Sequence, residues 1–381
     1  MPILLILIAA HSYVGWRLWP ALAAWPLAQW LLLTALLASA VLMPLGFMAR
    51  RVQALKLSQS SADVLAWGGA LSMGWFSSAW VLTVLREPVL LAAWAGRAVG
   101  FDSSNLAAIS AWTGVTVLAL STAVTLLGLW NARRSARVVT VDVPIANLPA
   151  ALQGFRIAQI SDVHVGPTIK RGYVSAIVRS VNRLQADMVA VTGDLVDGSV
   201  TELAAHVAPL ADLSSTHGTY FVTGNHEYYS GAHAWITELR RLGLTVLLNQ
   251  HVVLQHGAAK LLVAGVADHG AHHFDAQHRS DPQAALIGAP QAATVRVLLA
   301  HQPRSAEAAE KAGFDLQLSG HTHGGQFWPW NHFVRLQQPF TAGLHRWKKL
   351  WVYTSRGTGY WGPPKRLGAP SEITHLRLVL A

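Results

Sequence analysis

The sequence predicts an all-α membrane region of about four helices, followed by a layered α/β domain. Three observations carry this. Charged residues make up only 13% of the 381-residue chain against 52% hydrophobic, about half the charge usual for a soluble domain. Four long apolar stretches lie before Arg137. After Arg137 short β-branched runs alternate with helical stretches and turn signals, as in sheets covered by helices. The expected division is residues 1–137 as the transmembrane helical region and 138–381 as the second domain.

Pro2 to Trp19 is apolar apart from His11, Ser12 and Arg17, while Pro26–Ala49, Val64–Leu85 and Leu106–Trp130 carry no charge. Each reaches or approaches the roughly 20 residues that cross a hydrocarbon core. Trp16, Trp19, Trp25, Trp30 and Trp130 fall near the expected ends, where interfacial aromatics belong. The first stretch has no Lys or Arg ahead of it and no small-residue cleavage pattern, so it is expected to be retained. Pro88–Val99 is short, contains Arg97 and is expected to be interfacial or re-entrant.

Charge placement predicts orientation. With four crossings, Arg50, Arg51 and Lys56 share a side with Arg133, Arg134 and Arg137, against Arg17, Arg86 and Arg97 opposite. The positive-inside rule then places the second domain in the cytoplasm. If Pro88–Val99 also crosses, the parity reverses. The net charge of +10 is spread over both parts, and no basic stripe marks a nucleic-acid surface, so nucleic acid is not an expected partner. There is no Cys. Disulfides and thiolate ligands are therefore excluded, and any metal site must use imidazole, carboxylate or amide oxygen.

In the second part Val138–Val143, Phe155–Ile160, Met188–Thr192, Tyr220–Thr223, Leu261–Val266, Val295–Ala300, Leu316–Ser319, Leu350–Thr354 and Ile373–Leu380 read as strands. Helices are expected near Lys170–Leu184, Ala232–Leu242 and Arg304–Ala312, and a long loop from Ala267 to Pro290. Five strand ends deliver polar residues: Asp162 and His164, Asp194 and Asp197, Asn225 to Glu227, His301, and His321 and His323. Side chains at the carboxyl ends of such strands share one crevice. Each motif alone is weak; five junctions all supplying Asp, Asn or His make a joint pattern suited to two adjacent metals.

The set Asp162-x-His164, Gly193-Asp194-x-x-Asp197, Gly224-Asn225-His226-Glu227, His301 and Gly320-His321-x-His323 resembles the full motif series of the calcineurin-like metallophosphoesterases. His323-Gly324-Gly325-Gln326 and Ser355-Arg356-Gly357-Thr358-Gly359 are similar to the bacterial membrane-associated branch. The resemblance covers Val138 to the C-terminus and implies a four-layer α/β/β/α sandwich. It implies a first metal on Asp162, His164, Asp194 and His323, and a second on Asp194, Asn225, His301 and His321. Asp194 would bridge them, and His226 would be the catalytic histidine. Two divalent metal ions are expected, with Mn, Fe and Zn left open. The implied reaction is hydrolysis of a phosphodiester or pyrophosphate bond. A lipid-linked substrate and a soluble one both remain open, as does a receptor or transporter-like protein that binds a phosphorylated ligand without turnover.

Three further expectations concern the surroundings. Asp197 reads either as a residue orienting a ligand or as a turn carboxylate. His269, His272, His273 and His278 read as a solvated loop in preference to a third metal site. Phe327, Trp328, Trp330, Phe333, Trp347, Trp351 and Trp361 alternate with Arg335, Arg346, Lys348, Lys349, Lys365 and Arg366. That mixture suits either a rim against membrane lipids or an internal aromatic core.

Overall fold

The computed structural model describes residues 2–48, 58–97, 100, 104–290 and 293–381. The chain divides into two compact units: Met1–Trp130 with Gly362–Lys365, and Asn131–Trp361 with Arg366–Ala381.

The first unit is built on α1 (Pro2–Leu18), α2 (Pro26–Met48), α3 (Gln59–Arg97) and α4 (Ser104–Arg133). Among the described residues three helices are long and apolar enough to cross a membrane: α2, α3 and Leu106–Arg133 of α4. The sequence anticipated Val64–Leu85 and Pro88–Val99 as separate segments. Instead α3 runs unbroken over 39 residues with Pro88 inside it, about 58 Å at the α-helical rise and roughly twice a hydrocarbon core. Val99 and the loop bases Arg50, Arg51 and Lys56 lie outside the described residues. The extension brings Arg86 and Glu87 into a helix whose apolar core was expected to be uncharged. Both are paired: Arg17 forms an ion pair with Glu87, and Arg86 donates to Thr113 Oγ1 at 2.9 Å and to Ser110 O at 2.9 Å. Helices α2 and α3 approach through glycines. A Cβ on Gly46 would lie 2.7 Å from Leu65 O, and one on Gly69 2.6 Å from Leu42 O, the close small-residue packing favoured between membrane helices.

The second unit runs β1 (Arg137–Ile145), β2 (Arg156–Ile160), α5 (Arg171–Asn182), β3 (Met188–Val191), α6 (Val200–Val207), β4 (Thr219–Phe221), α7 (Asn225–Ser230), α8 (Ala232–Arg241) and β5 (Thr245–Val246). It continues through β6 (Gln250–His256), β7 (Ala259–Gly265), β8 (Val295–Leu299), α9 (Ala306–Ala312), β9 (Leu316–Ser319), β10 (Gly343–Trp347), β11 (Leu350–Thr354) and β12 (Glu372–Leu380). Two six-stranded sheets result, ordered β1-β12-β2-β3-β4-β5 and β10-β11-β9-β8-β7-β6.

Side-chain alternation sorts these strands into layers. In the first sheet Ile157, Met188, Ala190 and Tyr220 face inward against Leu261, Val263, Val297 and Leu318 of the second sheet. Their neighbours Ala158, Ile160, Val189, Val191 and Phe221 face outward onto Ile177, Val181, Leu203 and Trp235 of the helices α5, α6 and α8. On the far side Leu262, Ala264 and Leu298 meet Ala306, Ala309 and Ala312 of α9. Strands buried on both faces read as continuous apolar runs, which is why the central ones were legible. The layers are α/β/β/α, as the motif resemblance implied.

Candidate metal and catalytic centre

The central strands of both sheets end at one place. β2 leads into Asp162 and His164, β3 into Asp194, β4 into α7 with Asn225 and His226 in its first turn, β8 into His301, and β9 into His321 and His323. Backbone bonds knit these loops together: Asp162 N–H donates to Gly193 O at 3.0 Å, His164 N–H to Asp194 O at 3.1 Å, and Gly320 N–H to His301 O at 2.9 Å. Five of the proposed ligands are held at positive φ: Asp162, His164, Asp194, His321 and His323. Left-handed backbone is uncommon outside glycine, and its concentration here is the kind of local strain that active sites carry. Two glycines make the loops fit. A Cβ at Gly320 would sit 1.9 Å from Ser161 Oγ and 2.2 Å from Asp162 Oδ2, and one at Gly224 would sit 2.2 Å from Asp194 Oδ1.

The donors form three overlapping groups, each able to converge on one ion: Asp162, His164 and His323; His164, Asp194 and His226; and Asp194, His301 and His321. Asp194 belongs to two of them. Its Oδ2 lies 3.1 Å from His301 Nε2 and 3.9 Å from His164 Nε2, while its Oδ1 accepts from His226 N–H at 2.8 Å. His321 and His323 stand at positive φ on either side of Thr322 and diverge. His321 Nδ1 approaches His301 Nε2 at 3.2 Å, and His323 Nε2 approaches His164 Nε2 at 3.0 Å. Each ends beside a different group, as service to two ions requires.

The residues fit a pair of cations. His301 Nδ1 lies 2.8 Å from Thr192 O, which places one proton there; against its burial, Asp194 holds the ring well above its ordinary pKa, and a cation would displace the second proton from Nε2. His164 Nδ1 lies 3.1 Å from Asp197 Oδ1, which frees its Nε2. Asn225 Oδ1 is buried without a hydrogen-bond partner, a costly arrangement unless a cation takes the lone pair. At His323 the ring must turn its proton to Nδ1. Arg366 Nη2 lies 3.1 Å from that atom and would then direct its N–H groups to its other acceptors, His323 O, Arg356 O and Gly359 O.

Electrostatics points the same way. Burial pushes Asp194 up, but the imidazoles of His301, His226 and His164 outweigh it and hold the carboxyl well below its usual range. Burial, reinforced by the charge of His301, drives His321 down to about 3, so its ring is a neutral donor. Burial also opposes charge on His226, yet the carboxylates of Asp194 and Asp197 prevail and raise it to about 9.

Some participants were not legible as such. Glu227 is fully buried and accepts from Asp194 N–H at 3.0 Å, Leu195 N–H at 2.7 Å and Gly224 N–H at 2.6 Å. It clamps the β3 and β4 loops together. Arg366 and Lys365, which the sequence placed only among the bases of the aromatic segment, are both buried. Nothing in the local pattern marked either one. The aromatic segment splits: Phe327 is buried, Trp351 is half-buried over the sheet core, and Trp328, Trp330, Phe333, Trp347 and Trp361 are exposed.

The profile of the calcineurin-like phosphoesterases matches residues 155–325, the stretch that holds every proposed ligand. A Bos taurus protein named "Transmembrane protein with metallophosphoesterase domain" is 40% identical over 79% of this chain and 70% of its own length. The chain belongs to the calcineurin-like metallophosphoesterase family. A Danio rerio protein of the same name is 37% identical over 69% of this chain and 62% of its own length. An uncharacterized metallophosphoesterase of Campylobacter jejuni is 35% identical over 69% of each chain. A metallophosphoesterase is a metal-dependent phosphoric ester hydrolase, and the ligand groups assembled here are consistent with divalent metals. The long apolar helices of α2, α3 and α4, with the relatives named transmembrane proteins, support membrane association.

Proposed function

We propose that the protein is a membrane-anchored, dinuclear-metal phosphodiesterase or pyrophosphatase, with residues 1–137 as the anchor and 138–381 as the catalytic domain. The observation that carries this reading is Asp194, buried and shared between two groups of imidazole and carboxylate donors. Asp162, His164, Asp194 and His323 would hold one ion; Asp194, Asn225, His301 and His321 would hold the other. Bound divalent cations there supply positive charge to the phosphate oxygens and acidify water for in-line attack. The chain's own residues do the rest. His226 presents Nε2 to the leaving oxygen as proton donor, because its Nδ1 is held by Asp197 at 2.5 Å. Glu227 fixes the backbone on both sides of Asp194, so the shared carboxylate does not reorganise during reaction.

The substrate reading is a lipid-linked phosphodiester or pyrophosphate. It is supported by the aromatic rim, since the Trp361 ring stands 5.6 Å from that of His226 and is 52% exposed. Gln326 holds the Trp361 main chain from both sides, Nε2 to O at 2.8 Å and N–H to Oε1 at 2.9 Å, which anchors the backbone that carries the indole beside the site. We further propose that the catalytic domain lies on the cytoplasmic side of a bacterial inner membrane, a reading supported by the excess of bases in the loops on that side when four helices cross.

The test is hydrolysis of bis(p-nitrophenyl) phosphate by the purified protein with added Mn²⁺, beside Asp194→Asn and His226→Ala. Metal-dependent turnover lost in both variants is expected. Absence of turnover with Mn²⁺, Fe²⁺ and Zn²⁺ in protein that retains bound metal would overturn diesterase chemistry and favour a receptor-like domain.

A further inference from the structure

Outside the catalytic centre, among the described residues, one more group of metal-ligating side chains converges: His233, Asp275 and His278. The sequence reading considered a third site on His269, His272, His273 and His278 and favoured a solvated loop. The structure keeps only His278 of those four and joins to it Asp275 of the same loop and His233 from α8. His233 stands in the first turn of α8, while Asp275 caps a short 3-10 turn, Ala276–His278, of which His278 is the last residue.

We propose that His233, Asp275 and His278 form a third cation site, of the two-histidine, one-carboxylate type that takes Zn²⁺ or a similar divalent transition metal. Three features of the geometry carry it. The donor atoms converge on one carboxylate oxygen: Asp275 Oδ2 lies 3.1 Å from His233 Nε2 and 3.9 Å from His278 Nε2. The other oxygen, Oδ1, is occupied by Gln277 N–H at 2.9 Å, which fixes the carboxylate so that Oδ2 faces the two rings. His278 is oriented from behind. Its Nδ1 lies 2.8 Å from the Tyr228 hydroxyl, which can accept a proton from Nδ1 while giving its own to Thr223 Oγ1 at 3.3 Å; a cation at Nε2 would select that tautomer. An outer hydrogen bond of this kind on the distal nitrogen is the usual support of a metal-bound histidine. A plain histidine–carboxylate pair would need only one of the two rings.

The fourth position faces solvent, because His233 is 75% exposed. An ion there would close the loop onto the start of α8. The effect would reach the catalytic side through Tyr228 and Phe274, whose rings are 5.8 Å apart, and through Tyr229, 5.6 Å from Phe274 and 5.2 Å from His226. The site is independent of the dinuclear centre, with which it shares no ligand.

The test is equilibrium dialysis of the full-length, detergent-solubilised protein against buffered micromolar Zn²⁺ after chelator stripping, with bound metal measured by elemental analysis. The wild type is expected to hold three Zn²⁺ per chain, and His233→Ala and Asp275→Asn one fewer each. His233 is exposed and bears no packing role in the core, so its variant keeps the fold. Asp194→Asn serves as the separate control: it should lose metal from the catalytic centre while keeping the ion that His233→Ala removes. Equal Zn²⁺ content in the wild type, His233→Ala and Asp275→Asn would overturn the third site. An unchanged count in Asp194→Asn would instead count against the dinuclear reading.

Discussion

Asp197 Oδ1 lies 2.5 Å from His226 Nδ1 and 3.1 Å from His164 Nδ1. One carboxylate oxygen therefore orients both the proposed proton donor and a proposed ligand of the first ion. Burial disfavours charge on His226, and the nearby carboxylates of Asp194 and Asp197 reverse that, to about 9. Asp197→Asn removes one of the two. The variant is expected to lose roughly 10- to 100-fold in kcat, the range typical for outer-shell partners of metal-bound histidines. Because His226 must be protonated to donate, the basic limb of the kcat–pH profile should also move to lower pH. A profile that keeps its shape while only its height falls would reduce Asp197 to a scaffold.

Gly320 has no room for a methyl group. Its Cβ would overlap Ser161 Oγ at 1.9 Å and Asp162 Oδ2 at 2.2 Å, and the Asp162 carboxylate accepts His321 N–H at 2.9 Å. Gly320→Ala is therefore expected to displace Asp162 and His321 together. A shift of about 1 Å at reacting groups costs about 100-fold, so diester hydrolysis should fall at least that far while the circular dichroism spectrum is retained.

The sandwich carries an acid-sensitive pair away from the centre. His217 Nε2 and His256 Nδ1 face each other at 3.0 Å beside Phe155. Burial, then the charge of His256, hold His217 below its ordinary value, and Asp187 offsets part of this. The folded state thus refuses a proton that the unfolded chain accepts near pH 6.5. The unfolded state binds more protons in that window, so stability is full above it and falls as pH drops below it. Replacing His256 by Gln should shrink the loss of Tm between about pH 7.5 and about pH 5.5, which bracket that value. An unchanged loss would place the acid sensitivity elsewhere.

Much of the centre was legible because chemistry-bearing residues followed strands that are apolar on both faces. Met188–Val191 and Val295–Leu299 are almost wholly buried, so their ends could be found and the residues beyond them recognised. Elements without that signal escaped. β5 is two residues long, β6 alternates along a sheet edge with exposed Gln250 and Gln255, and β10 is half-exposed. The six-residue α7 is too short for a helical period, yet it carries Asn225 and His226. The dual contact of Asp197 depends on the approach of loops 33 and 29 residues apart in sequence. The convergence of His233 with Asp275 and His278 depends on how a loop returns over α8. Local pattern contains neither. In the helical unit, Pro88 marked a break that α3 does not make, since proline in a membrane helix is tolerated where neighbouring groups satisfy the backbone.

Sidedness can be read directly because the chain has no cysteine. Thr216 is exposed on the catalytic domain, and Thr216→Cys creates a single reporter. In intact bacterial cells it is expected to resist a membrane-impermeant maleimide and to react after permeabilisation. Labelling in intact cells would place the domain outside and reverse the charge-based orientation.

The central claim is that Asp194 is shared by two adjacent ions. It is tested most directly by electron paramagnetic resonance of full-length His233→Ala protein, which lacks the proposed third site, loaded with two equivalents of Mn²⁺. The account predicts a spin-coupled Mn²⁺ pair whose multiline signal is lost in the Asp194→Asn background. Two uncoupled six-line Mn²⁺ signals at full loading, unchanged by Asp194→Asn, would contradict it.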